Sequence, residues 1–125
     1  MQEHVQLKLT DELSAAVTSQ DAARTQELRA FLYAHLTSVQ KMVEGYWYAR
    51  KGKVERLQVE ESSLHFNTSS DGVFLVRYHV SFFFACDDIT ADTAETMWCT
   101  FSLDLKRGMA VLQGENQPER SVEEF

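Results

Sequence analysis

Arg77, His79 and Ser81 stand at alternate positions in the segment GVFLVRYHVSFFFAC (72–86), and Ser102 and Asp104 alternate in a later apolar segment. A strand points successive side chains to opposite sides, so each set shares one face of its strand. Ser81, His79 and Asp104 are the residue types of a hydrolytic triad, in which a histidine takes the serine proton and a carboxylate orients the ring. The expected geometry argues against that chemistry. Serine and histidine two apart on a strand sit about 7 Å from each other and point the same way, and no Gly-x-Ser-x-Gly elbow adjoins them. Leu75, Phe83 and Trp98 are spaced among these polar groups. Aromatic, arginine and hydrogen-bonding side chains on one face match the composition of protein interfaces. Leu75, Arg77, His79, Phe83, Trp98 and Asp104 are therefore the expected partner-binding residues, and no catalytic set is assigned.

Other clusters point less far. Tyr46, Trp47 and Tyr48 precede Arg50, Lys51 and Lys53, with Arg56 close behind. Aromatic and basic residues together suit single-strand nucleic-acid stacking, but 19 acidic against 12 basic residues give a formal charge of −7, which repels phosphate backbones and anionic lipid. A helix end folding into the core, followed by a solvated basic start to a strand, accounts for the same residues. Cys86 and Cys99 are too few for a disulfide framework and have no Cys/His spacing for zinc, so reduced thiols are expected, with no metal or cofactor. The N-terminus lacks a signal-like apolar run and no stretch reaches membrane-span length, which predicts a cytoplasmic protein not bound to membrane.

At 125 residues, 44% hydrophobic and 25% charged, the chain suits one globular domain with its core over about 10–113. Thr10 followed by Asp11 and Glu12 predicts a short helix over 11–17. Leu28, Phe31, Leu32, His35, Leu36, Val39, Met42, Val43 and Tyr46 recur at three- and four-residue steps, which predicts one long amphipathic helix over about 20–47. From Gly52 the period becomes two. A first strand runs over 54–59 and 64–66 with a bulge near Glu60, Glu61 and Ser62. The loop 67–72 leads to a second strand over 73–86, an acidic loop over 87–92, a third strand over 97–105 and a short fourth over 109–113; a polar tail, 114–125, ends the chain. Pairing Phe84 with Phe101 would set Cys86 against Cys99.

Helices followed by an antiparallel meander give an α+β fold, with about four strands wrapping the long helix. That arrangement resembles the cystatin-like and NTF2-like superfold in architecture over about 10–113, without a shared motif and without the extra helical element usual in NTF2-like chains. NTF2-like enzymes place an Asp, His or Tyr between helix and sheet. The resemblance therefore implies an alternative, a small-ligand carrier or enzyme with an apolar pocket in which Tyr78 and His35 supply the polar contacts. Tyr78 is the one oxygen-bearing side chain among the inward strand positions. The favoured expectation is a non-catalytic binding protein of adaptor, chaperone, immunity or inhibitor type, acting on a protein partner or as a homodimer through the outer sheet face.

Overall fold

The computed structural model describes residues 2–20, 22–84 and 89–115. Five strands, β1 (His4–Lys8), β2 (Lys53–Phe66), β3 (Asp71–Phe84), β4 (Ile89–Asp104) and β5 (Met109–Gln113), form one open antiparallel sheet in the order β1-β5-β4-β3-β2. Three helices, α1 (Asp11–Thr18), α2 (Arg24–Ala34) and α3 (Leu36–Glu44), lie between β1 and β2 in the chain. Thr10 caps α1, its hydroxyl accepting from the Leu13 N–H at 3.2 Å, and Asp11 and Glu12 complement the helix dipole. The core is built from Leu13 and Val17 of α1, Leu28, Phe31 and Leu32 of α2, Val39, Met42 and Val43 of α3, and one face of the sheet.

Two expectations are corrected. The long helix is two helices, parted at His35, whose φ of −118° and ψ of 26° leave helical geometry. The apolar stripe continues across the break at the same steps, so periodicity alone cannot register it. The sheet has five strands, because 4–8 pairs with β5 from His4↔Gln113 to Lys8↔Met109 and brings Leu7 and Leu9 into the core. Five residues offer too short a run for alternation to stand out.

The pairing of β3 with β4 is also corrected. Phe101 faces Gly72, twelve residues earlier along β3 than the expected Phe84, and Cys99 faces Phe74. Twelve is an even shift, so every side chain keeps its expected face while its neighbours change. Ile89–Asp104 is all strand, so the acidic loop expected over 87–92 is strand from Ile89; its first two residues, with Cys86, lie outside the described residues.

The bulge expected near Glu60 is present. β2 slips against β3 between Glu60 and His65, where Ser63 Oγ accepts from the Leu75 N–H at 2.8 Å and donates to the Glu60 carbonyl. A second slip, between Glu55 and Gln58, holds Arg56 at φ +54°. Gly72 is required where the first slip ends. A Cβ there would come within 2.0 Å of the His65 carbonyl oxygen and 2.5 Å of the Phe101 ring.

Candidate functional site on the outer sheet face

The helix-facing side of the sheet is packed. Phe74, Val76, Tyr78 and Val80 of β3 are at most 3% exposed, as are Met97, Cys99 and Phe101 of β4. Tyr78, one of the two polar groups of the carrier alternative, accepts a hydrogen bond from Trp47 Nε1 at 3.2 Å, and burial pushes its hydroxyl up to about 12. His35, the other, is half-buried beside Phe31, with Nδ1 2.9 Å from the Phe31 carbonyl oxygen and ring centroids 4.5 Å apart. The two side chains have separate partners and do not form a pair. Burial likewise raises the Cys99 thiol to about 12, so it is protonated and inert near neutral pH.

The opposite side is wet and charged. Arg77 is exposed, Leu75 and His79 are half-buried, and the register sets Leu75 against Trp98, Arg77 against Thr96 and His79 against Ala94. Trp98 is 49% exposed. The structure thus brings Leu75, Arg77, His79 and Trp98 together, as expected from parity. It does not bring Asp104 to them. Asp104 faces Met109 at the far end of β4, where its Oδ1 accepts from the N–H groups of Lys106 and Arg107, both at 3.1 Å, and shapes the β4–β5 turn. Ser102 faces Asp71 and Ser81 faces Asp92, so the triad residue types are not assembled. Phe83 lies opposite Thr90, and its side chain lies outside the described residues.

Sequence reasoning missed two members of this face. Left-handed backbone at a bulge re-aims a side chain, and the Arg56 guanidinium crosses β3 to reach Asp92 Oδ2 at 2.7 Å. Asp92 Oδ1 lies 3.2 Å from His79 Nδ1, so one carboxylate joins β2, β3 and β4. Arginine at a position that favours glycine gives no warning in the sequence. Asp92 becomes visible only once the register is known. A second pair, Arg77 Nε to Glu60 Oε2 at 2.6 Å, holds the Glu60 carboxyl below its usual range through that hydrogen bond and the guanidinium charge.

Between these pairs lies a concavity of about 490 Å³, lined by Arg56, Gln58, Arg77, His79, Ala94 and Thr96 among others. Both of its arginines are held in ion pairs, Arg56 with Asp92 and Arg77 with Glu60. Exposed ion pairs contribute little to stability, about 0–1 kcal/mol each, so these side chains can exchange partners at small cost. Exposed Trp98 and half-buried Leu75 lie on the same face.

Among the described residues no group of three or more His, Cys, Asp or Glu is placed to hold a metal, and no helix is long and apolar enough to cross a membrane. Helices on an open antiparallel sheet agree in coarse outline with a cystatin-like or NTF2-like architecture. Comparison of the chain with protein-family models, curated proteins and solved structures matched none of them.

Proposed function

We propose that this chain is a non-catalytic protein-binding module of the adaptor, chaperone, immunity or inhibitor class, and that it meets its partner through the outer face of the sheet. The observation that carries this is the concavity walled by Arg56, Arg77 and His79 with exposed Trp98 and half-buried Leu75 alongside, on the one side of β3 and β4 that the helices leave uncovered. In this proposal the location is the cytoplasm and the partner is a protein, since a net charge of −7 disfavours nucleic acid and anionic membrane. Leu75 and Trp98 are the anchor, Arg77 and His79 the polar contacts, and Arg56 and Asp92 join them.

The test is photo-crosslinking in the native host, with a benzophenone side chain placed singly at Trp98, at Leu75 and, on the helix side, at exposed Tyr33. The same protein partner should be captured from Trp98 and from Leu75 and not from Tyr33. Capture from Tyr33 alone would place the working surface on the helices and overturn the proposal.

A further inference from the structure

The outer face ends in an unusual border. β5 pairs with β4 only from Thr100 onward, where Thr100 meets Gln113, so Asp92–Trp98 is paired with β3 on one side and with no described strand on the other. The direction of the free backbone groups can be read from the ladder. Leu103, an odd-numbered residue of β4, sends its N–H to Ser70 on the β3 side at 2.9 Å, while Trp98, an even one, sends its N–H the other way to Glu115 Oε1 at 2.9 Å. By the two-residue period, the N–H and C=O of Asp92, Ala94 and Thr96 face outward along the open edge.

The outer side of β2 and the open stretch of β4 are treated differently. β2 is interrupted twice by register slips and carries Lys53 and Arg56, which blunts it against pairing. β4 runs without a slip against β3 from Ser102 to Ile89, and Asp92–Trp98 contains no Pro, Gly, Lys or Arg. Glu115 shows that an acceptor reaches this edge. The charge on the edge selects among occupants. Glu95 lies on it and Glu115 at its end, the Asp92 carboxylate being engaged by Arg56 and His79, and the chain as a whole is at −7, so a second copy would set carboxylates beside carboxylates.

We propose that the open edge of β4 takes an extended, basic segment of the protein partner by strand addition, with Lys or Arg opposite Glu95 and an apolar side chain beside Trp98. Main-chain hydrogen bonds would hold such a segment, and side chains on alternate sides would select it. This deepens the binding proposal and rests on it.

The probe is a blocked peptide, Leu-Thr-Val-Lys-Val-Thr-Lys, matched in length to Asp92–Trp98, with a control in which Glu replaces both Lys. Amide exchange on the full chain, read by NMR, should slow at Asp92, Ala94 and Thr96 by at least about tenfold at saturating Lys peptide, and not with the control. Thr96→Pro removes one outward donor while leaving the β3 ladder intact and should abolish the protection. Glu95→Lys keeps every backbone donor and should shift preference toward the Glu peptide. Unchanged exchange with the Lys peptide, or equal protection by both peptides, overturns the proposal. Protection already present in the free monomer would mean that the chain covers its own edge, and protection that grows with protein concentration alone would mean a second copy; either overturns it. Arg77→Ala should leave the edge protection in place, which separates failure at the edge from failure at the face.

Discussion

Along β3, adjacent residues live under different physics. Phe74, Val76, Tyr78 and Val80 are buried against the helices, whereas Arg77 is exposed and Leu75 and His79 are half-buried on the other side. The inner residues are held by exclusion from water and by packing, at roughly 1.5–3 kcal/mol for each large apolar side chain. The outer ones are held by exposed ion pairs, Arg56–Asp92 and Arg77–Glu60, that are individually weak. One face therefore fixes the fold, and the other contributes little to it.

The contrast breaks most visibly in the core. Phe101 is 1% exposed and packs edge-on against Phe66 with centroids 4.9 Å apart. Phe101→Ala should cost about 3–5 kcal/mol in urea unfolding. Phe82, on the same parity, is only half-buried, packed on Trp47 at 5.9 Å, so Phe82→Ala should cost less than Phe101→Ala. A Phe101→Ala variant of wild-type stability would refute the assignment of faces. Gly72→Ala forces a Cβ onto the His65 carbonyl and should cost about 1–3 kcal/mol by the same assay.

Alkaline pH sharpens the same contrast, because burial keeps the Cys99 thiol and the Tyr78 hydroxyl neutral. The Cys99 thiol stands at about 12 in the fold, against about 8.5 in an unfolded chain. As pH rises past about 8.5 the unfolded chain loses this proton first, so the contribution present below that pH is lost progressively toward 12, at up to about 1.4 kcal/mol per pH unit. Tyr78, also near 12, adds to the decline above about 10. Urea midpoints should fall from pH 8 to 11, and less steeply in Cys99→Ala. A midpoint independent of pH across that window would contradict the burial of both groups.

The smallest effects belong to the outer face. Arg77→Ala and Arg56→Ala should each change stability by no more than about 1 kcal/mol, since each removes one exposed pair. A larger loss would make these pairs part of the scaffold rather than a surface available for binding.

How much of this was legible follows from what alternation encodes. Parity along 73–84 gave the face of Arg77, His79 and Leu75 correctly, because a strand has a fixed period of two. It is silent on register, since any even shift preserves parity; hence Phe101 faces Gly72 and not the expected Phe84, and Ala94 rather than a residue of 102–104 lies opposite His79. The slip at Glu60 was readable as broken alternation, while the one at Arg56 was hidden by a residue type that rarely adopts positive φ. The break at His35 was invisible because the apolar stripe runs through it.

In the proposed reading the outer face, and not the inner polar pair, carries the function. Its most direct test is the affinity of the partner captured by crosslinking, measured by calorimetry for Arg77→Ala/Trp98→Ala and for Tyr78→Phe/His35→Ala, with folding of each checked by circular dichroism. The outer pair should lose affinity by a hundredfold or more, from about 2 kcal/mol for each side chain removed, and the inner pair should bind as wild type. Full affinity in the outer pair together with loss in the inner pair would contradict the account and move the site to the space between helices and sheet.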